Sequence, residues 1–403
     1  MNRTISLGLC LVTVAAFTAS AGDWRQFRGP DGTGISGDTG LPTLLDAHKS
    51  IAWKTALPGR GLSSPIIVGD RVFVTCSDGG QQERLHVLCF NSADGSLRWE
   101  RQFRATGRTI CHDKISVAAP TPVSDGKRLF ALFSSNDLVC LDLDGNLVWF
   151  RGLMRDYPNA SNSLGMSTSP VVADGVLIVQ TETDSDSFVA GIDVLTGINR
   201  WKIARTKRAN WTSPVILTGN SGNQLIALQS GAGISAIEPG SGREVWKYAD
   251  GASTIPSSVA HGNTLYVPSR GITALQISTD GEPPKQLWRA SQLRPATASP
   301  LVLGEQIFIL NEADVLTSAD TTAGNRRWQL RLKGPISASP VSAGGHLYFV
   351  NEKGLIQVVD PAGAEGRVIS ELDLGEAIIG TPSIGGAALY FRSDGHVWKI
   401  SKS

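Results

Sequence analysis

The chain has little excess charge, few cysteines and almost no helical patterning. Lysine and arginine total 37 against 36 acidic residues, so no basic surplus points to nucleic acid, although net charge does not describe local distribution. Five cysteines occur in 403 residues, and none stand in a Cys-x-x-Cys spacing, which removes the usual signature of a zinc site. Past the first residues, no apolar run is long enough to span a bilayer. No stretch keeps the i, i+3, i+4 periodicity of an amphipathic helix. What is present in surplus is glycine, at 44 residues, as in a turn-rich β protein.

The first residues differ from the rest. Arg3 precedes the apolar run "ISLGLCLVTVAAF", and "ASA" follows at 19–21. This pattern predicts a secretory signal peptide over residues 1–21, cleaved after Ala21. The mature chain then begins at Gly22 and is exported to the periplasm or secreted. Cys10 follows Leu9, where a lipoprotein site expects a small residue. Four cysteines remain, Cys76, Cys89, Cys111 and Cys140, and their disulfide state is left open.

Internal repetition dominates the remainder. A hydroxyl-proline step followed by apolar residues recurs at Pro65, Pro122, Pro170, Pro214, Pro300, Pro340 and Pro382, with Ser258 in an eighth such slot. The slots lie 40 to 57 residues apart, the period of a four-stranded propeller blade. After each slot come alternating runs such as "DRVFVTC", "GVLIVQT" and "GHLYFVN", bounded by Gly, Asn and Asp, which read as strands. Trp99, Trp149, Trp201, Trp246, Trp288 and Trp328 end the first six repeats, and Ser370 fills the seventh Trp position. Trp53 stands 12 residues before Pro65, at the spacing of a fourth strand with no preceding three. The last repeat supplies three strands and stops. Pairing "IAWKTAL" (51–57) with those three removes the exposed edges of an open array. The expected fold is therefore all-β: an eight-bladed propeller over residues 51–403, closed by an N-terminal strand, with residues 22–50 as an arm.

The clearest repeat is "GIDVLTGINRW" (191–201), in which Asp193 accepts turn amides, Gly197 fits a turn between third and fourth strands, and Trp201 covers the face between blades. Two residues before the Asp position stand Cys89, Cys140, Gly191, Ala236, Ala274 and Ser318; small residues there indicate close packing and make Cys89 and Cys140 buried apolar groups. This segment resembles the tryptophan docking motif of pyrroloquinoline-quinone-like (PQQ-like) propellers, and the resemblance covers residues 51–401. The start of the mature chain, "DWRQFRGPDGTGIS" followed by "AWKTALPGRGLSSP", resembles a bacterial exported subfamily often likened to the propeller lipoprotein of the outer-membrane β-barrel assembly machinery. The resemblance implies a non-catalytic binding or scaffold module of the cell envelope. It would be a monomer without cofactor, taking a protein partner or a small ligand. The alternative is a quinoprotein dehydrogenase, which would bind PQQ and calcium. This chain lacks the adjacent cysteine pair common in such enzymes, is short for the class, and offers no recognisable calcium set.

Eight hydroxyl residues precede the slots: Ser64, Thr121, Ser169, Ser213, Ser257, Ser299, Ser339 and Thr381. They are expected to cap backbone where the chain enters the sheet, or to wall the channel. Two long connections, Trp99 to Pro122 and Trp149 to Pro170, project from one face and hold the candidate binding residues Arg108, Cys111, His112, Asp113, Asn159 and Asn162. Cys111 is the expected exposed thiol, and His112 beside Asp113 is a weak acid–base or metal candidate. Trp211 is a further candidate at the channel mouth. "TETDSDS" (181–187) and "ARTKRANW" (204–211) are expected to be solvated acidic and basic segments. No catalytic, cofactor or metal residue is assigned.

Overall fold

The alternating apolar runs form strands, and each set of four pairs into one antiparallel sheet. The computed structural model describes residues 22–161, 164–219 and 221–402; the expected signal peptide and Asn162 lie outside these. Among the described residues there are eight four-stranded sheets. One of them runs Val171–Ala173, Val176–Thr181, Phe188–Asp193, Asn199–Ala204 from inside to outside. The inner strands stand beside one another, and Ile66–Val68 beside Ser383–Gly385 completes the circle. The one α-helix among the described residues, Leu153–Asp156, is a single turn inside the second long connection.

The eighth blade joins two distant segments. Its order is Ser383–Gly385, Ala388–Arg392, His396–Ile400, Ile51–Ala56, with Lys54 opposite Trp398 and Thr55 opposite Val397. Beyond the pairing, the Ser401 amide donates to the Ser50 carbonyl at 2.9 Å.

The repeated Trp, Gly and small residue form one device. Each of the six Trp that end a repeat lies opposite its own blade's small residue: Trp99 faces Cys89, Trp149 faces Cys140 and Trp201 faces Gly191, whereas Trp53 of the shared blade faces Lys399. The indole then reaches the next blade. Trp149 donates from Nε1 to the Val194 carbonyl at 3.1 Å. A Cβ on Gly197, whose φ is +71°, would lie 2.7 Å from the Trp149 ring. The glycine thus serves both a left-handed turn and the preceding blade's indole. Asp193 builds the same turn, accepting the Leu195 and Thr196 amides at 3.0 Å and pairing with Arg200 at 2.7 Å.

Ser370 shows what happens when the device has no target. The eighth blade has no covalent turn between its third and fourth strands, so an indole from the seventh blade would find no turn to dock on. Ser370 faces Val358 rather than a small residue, and its Oγ accepts the Leu45 amide at 2.8 Å. The chain leading into the closing strand takes the ring's place.

The hydroxyl residues form a second seam. The Ser64 amide donates to Thr121 Oγ1 at 2.9 Å, Thr121 to Ser169 Oγ at 3.0 Å, and the chain passes through Ser213, Ser257, Ser299 and Ser339 to Thr381 Oγ1. Seven of the eight blades' amides are thereby satisfied by a neighbour's side chain, and seven of the hydroxyl residues line the channel, so the capping and channel-wall readings are both realised. Ser64 Oγ, at the closure, has no partner among the described residues.

Acid should loosen this lock. The Arg200 guanidinium, with the turn amides, holds the Asp193 carboxyl down to about 2 from an ordinary 3.8. A carboxyl lowered by folding contributes stability above its unfolded value and loses it as pH falls through the folded one. Asp193→Asn is therefore expected to destabilise most above pH ~4, with the difference from the parent shrinking toward pH ~2. Parallel urea titrations from neutral pH downward check this; a difference that stays constant into acid would refute it.

Candidate binding site on the loop face

Strand direction sorts the connections. Links from a fourth to the next first strand, and from second to third, share one face; the tight turns share the other. Both long connections therefore rise on the loop face, as their position in the repeat requires.

The turn face is blocked. The arm pairs with Ile67 through Trp24 at 2.9 Å in both directions, takes the Ser124 amide on the Arg25 carbonyl at 2.8 Å, and brackets Ser342 from Gly34 and Ser36 at 2.8 Å. It thus crosses the axle from the first and second blades to the seventh. Trp24 is fully buried. Arg28, 2% exposed, sits at φ +59° and donates from Nη2 to the Ser258 carbonyl at 2.6 Å. Burial lowers its pKa to about 10, which still leaves it charged at neutral pH. Ser258 replaces proline here because its amide is used, donating to Gln229 Oε1 at 2.8 Å; proline has no such donor.

On the loop face the channel opens as a cavity of about 370 Å³. Phe27 of the arm contributes to its lining, together with seven of the ring hydroxyls, Thr121 through Thr381. Higher up stand Leu62, Ile115, Leu164, Trp211, Ile255 and Ile379, with His112 and Lys114 at the rim. Trp211 is fixed by its indole, which donates to the Gly165 carbonyl at 2.9 Å.

Of the sequence candidates, His112 and Trp211 line this cavity. Arg108, Asp113 and Asn159 are exposed on the connections outside it. His112 and Asp113 form no bond with each other: His112 Nδ1 accepts the Lys114 amide at 3.1 Å, and the Asp113 carbonyl accepts Arg60 at 2.9 Å. Cys111 is the least buried of the four described thiols, as its loop position suggests, though not open. It is half-buried, with Gln82 and the Ile115 carbonyl each 3.5 Å from Sγ, and burial raises its pKa. Cys89 and Cys140 are fully buried, and burial pushes both up to about 12. All four cysteines are unpaired.

The acidic and basic segments, expected to be solvated separately, pair with each other instead. Arg205 bonds Glu182 at 2.6 Å, Lys207 lies 3.1 Å from Asp186, and the Ala209 amide donates to Asp184 at 3.0 Å. Glu182 is 1% exposed, and burial raises its pKa. Asn159 joins them, donating to Asp186 at 3.2 Å. Antiparallel pairing of Phe188–Asp193 with Asn199–Ala204 in one blade, Phe188 opposite Ala204, brings together what the sequence shows as two local charge runs. Sequence reasoning also missed Phe27, Lys114, Ile115 and Ile255, which carry no motif; only their position just before an inner strand, or in the arm, could have marked them.

Four overlapping matches to the family described as "Outer membrane protein assembly factor BamB" cover residues 30–162, 87–254, 231–337 and 322–403. The chain belongs to the BamB-like propeller family. The outer membrane protein assembly factor BamB of Moranella endobia (strain PCIT) is 26% identical over 196 residues, 46% of this chain. That match spans only 45% of the relative's own length. The BamB of Moraxella catarrhalis shares the fold at a TM-score of 0.65 and 16% identity, over 87% of this chain and 97% of that one. A europium-containing methanol dehydrogenase shares it at 0.69 and 13%, over 94% and 91%. Such identities speak for the fold alone.

The dehydrogenase likeness raises the question of a quinone held with calcium. Calcium takes oxygen ligands, carboxylates prominent among them. No Asp or Glu lines the cavity, and no two cysteines are adjacent in the chain. The lining does not fit that pair of groups.

Proposed function

We propose that this chain is a non-catalytic binding module of the bacterial cell envelope, exported by its N-terminal signal, which engages a protein of outer-membrane assembly through its loop face. Membership of the BamB-like family carries the reading. The geometry supports it: the arm occupies the turn face, while the long connections and the cavity on the axle share the other. Exposed Arg108 and Ile110 present that face to a partner.

Photo-crosslinking in native cells tests this. A crosslinker at Arg108 or Ile110 should give a discrete adduct with an outer-membrane assembly component, and one at Asp174, on the turn face, should not. Equal adducts from both faces, or none from the loop face, would count against the proposal. Purified protein mixed with PQQ and calcium should show no dye-linked alcohol oxidation; turnover there would replace this reading with the dehydrogenase one.

A further inference from the structure

The seven lumen hydroxyls have a property that the blade seam does not require. Each accepts a backbone amide through its oxygen, yet none of them donates its own proton to an acceptor among the described residues. All seven residues are less than a tenth exposed. They converge on one axis, so the cavity is ringed by hydroxyl donors. A hydroxyl that accepts one bond still has a proton to donate, and a site of donors is satisfied by an acceptor-rich occupant.

No carboxylate lines the cavity itself. His112 and Lys114 are the ionisable groups in the lining, and the Glu352 carboxylate behind it is taken up by Lys114 at 2.9 Å and by the Ser337 hydroxyl at 2.6 Å. Lys114 is half engaged: it pairs with Glu352 at 2.9 Å while remaining 62% exposed. Above the hydroxyls, the wall turns apolar. Trp211 brings no free donor, because its indole N–H is spent on Gly165. Ile255, 49% exposed, is a large apolar side chain open at the mouth. The floor is shut by the arm, with Phe27 in the lining, so an occupant enters and leaves by the loop face. A volume of about 370 Å³, mostly apolar, with convergent polar groups at one end, is the usual form of a small-ligand site.

We propose that this cavity binds a carboxylate carried on an apolar or aromatic body, head down on the hydroxyl ring and body against Trp211 and Ile255. The carboxylate makes charge-assisted bonds with the ring hydroxyls, which are about twice as strong as neutral ones. Two sources share this chemistry: a free aromatic acid, and the carboxyl terminus of a peptide ending in an aromatic residue. The inference rests on the loop face being the binding face. Crosslinks from Arg108 without carboxylate binding would defeat this inference alone; carboxylate binding without crosslinks would defeat the assembly reading alone.

Calorimetry on the purified protein decides it. The probes are indole-3-acetate and indole-3-acetamide, and a tetrapeptide ending in phenylalanine with a free or an amidated carboxyl terminus. At least one free acid should bind, and its amide should bind about tenfold more weakly or worse. Binding by the small acid alone identifies a free ligand; binding by the free-acid peptide identifies a chain end. Ile255→Asp should weaken the acid by about tenfold more than Ile255→Asn does, since it adds a like charge at an exposed rim position. Acid and amide binding equally, no heat from any probe, or equal effects of the two rim variants would each overturn the proposal.

Discussion

A protein lacking residues 51–57 is expected to lose the eighth blade's outer strand and most of its resistance to unfolding. That strand carries Trp53, 8% exposed, whose Nε1 donates to the Ser92 carbonyl at 3.1 Å and whose ring lies over Gly95 of the first blade. Thr55 donates to the Gly95 carbonyl at 2.8 Å, and Lys54 pairs with Glu376 at 2.8 Å. Losing one buried Trp costs about 3–5 kcal/mol on its own. The truncation also uncovers the edge of His396–Ile400 and unties the ring at its one non-covalent blade. Against a total of about 5–15 kcal/mol, the result should be a thermal midpoint lower by on the order of 10 °C, or no folded protein. A truncated chain melting within about 2 °C of the parent would show that the ring does not need its shared blade.

The second large effect is expected at Gly197. Gly197→Ala places a methyl group 2.7 Å from the Trp149 ring while holding φ at +71°. The backbone strain is about 1–2 kcal/mol. Displacing the indole forfeits part of its burial and its bond to Val194, which brings the total to about 3 kcal/mol. Gly175→Ala provides the comparison. That glycine lies in the same blade at φ +69°, and a methyl group there meets nothing within 4 Å, so it should cost the backbone term of about 1–2 kcal/mol alone. Urea denaturation followed by tryptophan emission measures both. Equal losses would mean that the glycine serves only its own turn and does not lock the preceding blade.

The two substitutions probe features of different legibility. Gly197 belongs to a motif that repeats, so its spacing from Asp193 and Trp201 announced a turn and a strand. That its partner is Trp149, one blade earlier, was not visible, because the contact runs between repeats. Trp53 was legible by a different route: an orphan at the repeat's spacing required a place, and ring closure supplied one. Ser370 was found as a gap in the same count, but its reason lies in a missing turn of the eighth blade and in Leu45. Cys111 is the least buried of the four thiols, as its loop position suggests, but it is only half open because Gly165, from the other long connection, packs so close that a Cβ there would lie 2.6 Å from the Cys111 Cβ.

The sequence by itself determined the strands, the eightfold count, the closing strand and the ring of hydroxyl residues. These follow from forces acting within one repeat: alternation that buries one set of side chains, glycines where the chain must turn left-handed, and a large ring at a constant interval. Only the tertiary structure decided that the arm seals the turn face, that hydroxyls from seven blades line one cavity, and that none of them donates to an acceptor among the described residues. Those arrangements join segments from every blade around one axis. The chain pattern constrains each segment against its neighbours in sequence, while the axis exists only once the ring has closed.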